Sequence, residues 1–293
     1  MNIIVTGGSG YIGSNLIDKL LSQNHKIVSL YNITLPNKSH ENLTWVKYDG
    51  SFNSLSHINL EAQLIIHLAT VFSHKTNEEL IENMINANIK LGIHLLEFAK
   101  SNGVELFINT TTYATSINNS SYSPQNFYSA TKKAFEDILK YYSDSNILKS
   151  LTLSLFDVYG PNDPRPKFIN LLINTIGSSQ IFNMSRGEQN IRYVYIDDVI
   201  EAYCLSIKLL KSTEYTEAKT FSVYGDENLT LLELVDQFNK VTGFELKTNP
   251  GFYPYRDREI MYCKPRFERI PGWNPKINLK KGINKILNEN RKD

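Results

Sequence analysis

The chain has 293 residues, with 31 Lys+Arg against 30 Asp+Glu, and is 41% hydrophobic and 21% charged. Near-zero net charge offers no general basic surface for nucleic acid or an acidic membrane, and a composition close to the globular average excludes disorder, collagen and coiled coil. The two cysteines, Cys204 and Cys263, form no CxxC, the six histidines have no ligand spacing, and neither an apolar run of about 18 residues nor a signal-peptide pattern occurs, so the expectation is a soluble cytoplasmic protein without disulfides or metal.

In chain order, a short apolar run at 2–6 leads through a glycine turn into a helical pattern at 10–23, where Ile12, Leu16, Leu20 and Leu21 share one face. Further buried-strand patterns stand at 26–30, 64–69, 105–109 and 150–156, and helical patterns at 79–101 and 128–143. Alternation of this kind predicts an α/β fold, a doubly wound parallel sheet with ligands at the carboxyl ends of its strands. After about residue 160 the rhythm breaks at Pro161-Asn162-Asp163-Pro164-Arg165-Pro166, which predicts a smaller C-terminal substrate-binding lobe. We therefore expect residues 1–160 to bind a dinucleotide, a helix start at 192–202 and a strand at 219–224 to rejoin that domain as part of 188–225, and residues 161–187 and 226–293 to form the lobe. Residues 288–293 read as a frayed polar tail.

Three motifs carry chemistry. Gly7, Gly10 and Gly13, with Tyr11 and Ile12 between, stand at a strand–turn–helix junction, where glycines allow a backbone to approach a pyrophosphate and a helix N-terminus attracts its charge. A nucleoside-triphosphate loop would need Lys after the last glycine, and Ser14 stands there. Tyr128 and Lys132 lie four apart on a helix, so ammonium and phenol can share a face, and the cation is expected to lower the phenol pKa from about 10. Thr110-Thr111-Thr112 ends the strand at 105–109, where such sheets present ligand-contacting groups.

With Ile66-His67-Leu68-Ala69, Asn88, Val158-Tyr159-Gly160-Pro161, Arg192–Val199 and Gly272-Trp273-Asn274-Pro275, these motifs make the chain resemble, over nearly its whole length, the extended short-chain dehydrogenases/reductases that act on nucleotide sugars. The resemblance implies a Rossmann domain, Tyr128 as acid/base, Lys132 orienting the nicotinamide ribose, and Thr112, with Thr111 second, bonding the reacting oxygen. It extends the cofactor set to Tyr31, Asn32, Asp49, Gly50, Leu68, Ala69, Thr70, Asn88 and Val158, and the substrate set to Asp157, Arg192 and Arg256, the arginines gripping a diphosphate. Such a family member is expected to be a homodimer joined through the helices at 79–101 and 128–143.

Departures from the family pattern refine this. Leu30-Tyr31-Asn32-Ile33 ends the second strand without the acid that repels a 2′-phosphate, which favours NADP(H) over NAD(H). Tyr113-Ala114 replace the Asp-Glu pair of 4,6-dehydratases, which disfavours dehydration. The short loop to Tyr128 and the segment 256–263 look closest to the CDP-abequose and paratose synthases, implying 4-keto reduction of a CDP- or dTDP-linked 6-deoxy or 3,6-dideoxy sugar, as in lipopolysaccharide O-antigen synthesis. A 4-epimerase retaining NAD is the alternative, and a non-catalytic NAD(P) sensor a third reading that an intact Tyr128/Lys132 pair opposes.

Overall fold

Strand β1 (Asn2–Thr6) is buried along nearly its whole length, as a strand at the middle of a sheet covered on both faces must be. It leads to α1 (Tyr11–Ser22), β2 (Lys26–Tyr31), β3 (Leu43–Lys47) and β4 (Leu64–His67). Then follow α2 (Glu78–Ile85), a π-helical turn (Asn86–Lys90), α3 (Leu91–Asn102), β5 (Leu106–Thr112), α4 (Phe127–Asp144) and β6 (Lys149–Leu155). The remainder contributes β7 (Asp157–Tyr159), α5 (Phe168–Asn174), β8 (Phe182–Met184), β9 (Asn190–Ile191), β10 (Tyr193–Tyr195), α6 (Ile196–Lys211), β11 (Lys219–Val223), β12 (Leu229–Thr230), α7 (Leu231–Thr242), β13 (Thr248–Pro250) and α8 (Leu279–Glu289). The computed structural model describes residues 1–117, 121–215 and 217–289.

The main sheet has seven parallel strands in the order β11-β6-β5-β4-β1-β2-β3. Its order reverses at β1, so the crevice at the carboxyl ends of β1 and β4 is where a doubly wound sheet receives its ligand. One face packs on α1 and α6 through residues such as Leu16, Ile17, Tyr203 and Ile207, the other on α3 and α4 through Leu95, Leu96, Phe107 and Phe135. The helices α3 and α4 meet at Gly92, where an added Cβ would sit 2.2 Å from the Phe135 ring, so the glycine sets how closely α4 lies.

Three expectations need correction, and one strand was not expected. The strand β3 carries no continuous apolar run, because at the sheet edge only Leu43 and Val46 are buried. The helix expected over 79–101 runs unbroken from Glu78 to Asn102 and carries the π-turn within it. The hydroxyl stretch is part of β5, which runs to Thr112 rather than ending at Asn109. Residues 193–195 pair with β7 as a strand, and the helix starts only at Ile196. Asn288 and Glu289 belong to α8 rather than to a frayed tail, and 290–293 lie outside the described residues.

The C-terminal segment is latched to α6. The buried Asp198 carboxylate accepts from the backbone N–H groups of Lys276 and Ile277, and the Trp273 indole donates to the Asp198 carbonyl at 2.9 Å. At the β3 edge of the sheet the Trp45 indole donates to the Lys38 carbonyl. Among the described residues no helix is long and apolar enough to cross a membrane.

Candidate active site

The turn between β1 and α1 is shaped by lack of space. A Cβ on Gly7 would lie 2.7 Å from the Ala69 nitrogen, and one on Gly13 2.1 Å from the Gly7 carbonyl oxygen. The hydroxyl oxygen of Thr6 accepts from the N–H groups of Leu68 and Ala69, so its own proton goes to His67 Nδ1, 2.8 Å away. Helix α1 begins at Gly10 with no side-chain cap and no acid in its first turn, which leaves its N-terminal N–H groups and positive dipole end open to an anion. The cradle therefore fits a dinucleotide pyrophosphate, with Gly7, Gly10, Tyr11, Ile12 and Gly13 against it.

These glycines open into a cleft of about 1850 Å³. Such a volume exceeds the roughly 300–1000 Å³ of a single-ligand site and has room for two ligands end to end. Tyr31, Asn32, Asp49 and Gly50 line one end; Leu68, Ala69, Thr70 and Val158 line the middle. Asp49 is exposed, and its hydrogen bonds from Ser51 hold its carboxyl below the usual range.

Helix α4 brings the catalytic candidates to this wall. Asn126 caps it in a reciprocal box with Ser129, fixing where its first turn starts. Tyr128 lines the cleft, with the Phe72 ring edge-on at 4.9 Å. Burial pushes its phenol up to about 12, against a hydrogen bond with Thr70 and the charge of Arg165. The expected lowering by Lys132 is not found: the effects opposing desolvation come from Thr70 and Arg165, and Tyr128 stays a neutral acid. Lys132, one turn on, is buried and absent from the cleft lining; burial lowers its ammonium to about 8, opposed by Glu136. Thr111 and Thr112 both line the cleft but differ in use. The Thr111 hydroxyl donates to Glu136, whereas the Thr112 oxygen accepts from the Ala114 N–H, leaving its proton for another acceptor.

Asn88 does not reach the cleft. From the π-turn its amide accepts from the Thr70 hydroxyl and the Val71 N–H and donates to the Val71 carbonyl and to Thr131, so it struts the loop after β4 against α4. His67, buried beside Lys132, is held well below the usual imidazole range by desolvation and then by that cation.

At the other end, Asp157 lies between Lys167 Nζ at 2.8 Å and the Tyr113 hydroxyl at 2.9 Å. Burial alone would raise its carboxyl, but the charge and hydrogen bond of Lys167, with Tyr113, hold it below the usual range. Arg256 lines the cleft, and Arg258 turns away to Pro124 and Ser123. Arg192 is not in the lining: its guanidinium donates to the carbonyls of Cys263, Gly225 and Asp226. Its motif position placed it near a diphosphate, yet backbone acceptors hold it behind the wall. Sequence reasoning missed Tyr113, His74, Lys167 and Arg165, the last of which lies over the Tyr11 ring and pairs with Asp163. The Asp163-x-Arg165 spacing was the one available signal. Among the described residues no cluster of three or more His, Cys, Asp or Glu could hold a metal.

A profile described as the NAD dependent epimerase/dehydratase family matches residues 3–225. The chain belongs to that family. It is 28% identical to a CDP-abequose synthase of Salmonella typhimurium, with 97% of each chain covered. With one from Yersinia pseudotuberculosis it shares 31% identity, over 97% of this chain and 98% of that one. A solved Thermus thermophilus UDP-glucose 4-epimerase bound to NAD superposes with TM-score 0.83 at 23% identity, covering 99% of both chains, a likeness of fold.

Because Lys132 in the free enzyme is protonated only below about 8, kcat/KM for any turnover that uses Tyr128 as acid is expected to fall as pH rises through about 8. A profile level up to about pH 9.5 would contradict a role for the Lys132 charge.

Proposed function

We propose that this enzyme reduces the 4-keto group of a nucleotide-diphosphate-linked 6-deoxy or 3,6-dideoxy sugar, CDP- or dTDP-linked, with NADP(H) preferred over NAD(H). The observation that carries the reading is the similarity, along 97% of the chain, to CDP-abequose synthases at 28% and 31% identity. A neutral phenol, Tyr128, at the cleft wall supports it as the group able to give a proton to a developing alkoxide. So does Ala114, in a position where a dehydratase would carry an acid.

When bound, the nicotinamide supplies the hydride. Tyr128 gives its proton to the ketone oxygen, and the Thr112 hydroxyl donates to that oxygen as its charge grows. The buried Lys132 cation stabilises the phenolate left behind, most strongly because water is excluded around it. Asn88 acts at one remove, fixing Thr70 beside Tyr128. Arg256 supplies positive charge for the diphosphate.

Tyr128→Phe is expected to lower turnover of a nucleotide-linked 4-keto-6-deoxysugar by about 10²–10⁴-fold with cofactor binding retained. In the unmodified enzyme, NADPH absorbance should fall one for one with product. Interconversion of two 4-hydroxy epimers without added cofactor would instead make it an epimerase.

The cofactor preference rests on Tyr31 and Asn32 standing in the lining with no carboxylate at the end of β2. Fluorescence titration should show NADPH binding at least as tightly as NADH, and Tyr31→Asp should reverse the order by repelling the 2′-phosphate. Tighter NADH binding by the unmodified protein would sink the preference.

A homodimer fits the outer face of α2, the π-turn and α4, where Ile85 is 41% and Tyr141 65% exposed and Ile89 and Ile138 are half-buried. An isologous pairing of these helices into a four-helix bundle would cover all four side chains. Light scattering at micromolar concentration should give twice the chain mass, and Ile85→Lys should halve it. A monomeric unmodified protein contradicts the pairing.

A further inference from the structure

Across the mouth of the cleft, the loop after β4 meets the segment that follows β13. Arg256 Nη1 lies 2.8 Å from His74 Nε2, and among the described residues no carboxylate pairs with that guanidinium. On the other side of the same imidazole, Asn126 Nδ2 stands 3.3 Å from Nδ1. The Asn126 amide cannot turn round, because its oxygen already accepts from the N–H and the hydroxyl of Ser129 as the cap of α4.

Two donors therefore face one ring. A guanidinium has donors only, and a neutral imidazole has one acceptor nitrogen. The shorter, charge-assisted contact takes it, so Nε2 accepts from Arg256 and the proton sits on Nδ1, facing the Asn126 NH₂. That clash disappears in the other tautomer: with the proton on Nε2, Nδ1 accepts from Asn126. The second state requires Arg256 to leave, and its Nε2–H then needs an acceptor in the cleft, which His74 and Arg256 both line.

We propose that His74 is a positioning residue for substrate binding: it parks Arg256 across the mouth of the cleft and, when a nucleotide-sugar diphosphate takes the guanidinium, switches tautomer and donates Nε2–H to the same anion. The inference rests on the nucleotide-sugar reading above and adds a residue to it. The charges facing His74 are Arg256, Lys167 and Asp157. Desolvation, then Arg256 and Lys167, lower its pKa in the free protein, and Asp157 opposes them, so the ring is neutral in the parked state. The switch moves the ring proton from Nδ1 to Nε2 and leaves the ring neutral, because an imidazolium would again set Nδ1–H against the Asn126 NH₂, so binding takes up no proton at His74.

The test is calorimetric titration of CDP-glucose and UDP-glucose, whose diesterified diphosphates do not titrate near neutrality, at about pH 6.5 in two buffers of different ionisation enthalpy. The unmodified protein should bind without proton uptake, its binding heats agreeing in the two buffers. His74→Phe should bind about tenfold more weakly. His74→Gln, which can accept from Arg256 and donate to phosphate, should bind within about threefold. NADPH binding by each variant checks folding, and the His74→Gln readout stands if His74→Phe does not fold. Unchanged affinity in a folded His74→Phe, a loss of affinity in a folded His74→Gln as large as that expected of His74→Phe, or proton uptake by the unmodified protein that His74→Gln abolishes, overturns the proposal and leaves the functional reading intact. Failure of the unmodified protein to bind either nucleotide sugar overturns both.

Discussion

Everything at the cofactor end of the cleft depends on two stretches of backbone being allowed to touch. The Gly7 turn lies against Leu68 and Ala69 with no space for a β-carbon, and the first turn of α1 lies equally close to the Gly7 carbonyl. Thr6 converts that proximity into fixed geometry, since one hydroxyl bridges the ends of β1 and β4 and at the same time sets which nitrogen of His67 bears the proton. With those two strand ends locked, the open N-terminus of α1 and the loop carrying Thr70 and His74 can only face the same crevice.

The second constraint is charge neutralisation away from water. The cleft wall carries ionisable groups that burial alone would disable: Asp157 is kept ionised by Lys167 and Tyr113, whereas Tyr128 and Lys132 lack comparable help and shift toward their neutral forms. At Tyr128 desolvation outweighs the Thr70 hydrogen bond and the Arg165 charge, while Lys132 sits one turn on, behind the wall. In the reduction proposed above, the pair would work as an acid with a cation in reserve for the moment the proton leaves.

Much of this was legible in the sequence, and the reasons are local. The glycine turn, Tyr128 and the central strands of the sheet are specified by short patterns whose physics is complete within about ten residues, and they were found at or near their observed bounds. Edge strand β3 was missed because half-burial leaves no apolar run. The π-turn was invisible because Asn88 performs its strut function through partners 17 to 43 residues away. Arg192 shows the opposite failure: its motif specifies where its backbone runs, and the carbonyls of residues 225, 226 and 263, which claim its guanidinium, come from distant parts of the chain. His74 has no motif, and its pairing with Arg256 spans 182 positions.

The two indole hydrogen bonds give the molecule its own optical labels. Trp45 and Trp273 are the two tryptophans of the chain, one at the open edge of the sheet beside the Lys38 loop and the other 2% exposed under the C-terminal latch at Asp198. An indole buried and bonded to a carbonyl emits from a different environment than a half-buried one, so the blue and red sides of the intrinsic fluorescence report different parts of the fold. Loosening of the C-terminal segment would redden one component and leave the other in place, so release of the latch and unfolding of the sheet edge can be followed separately in a single spectrum with no dye attached.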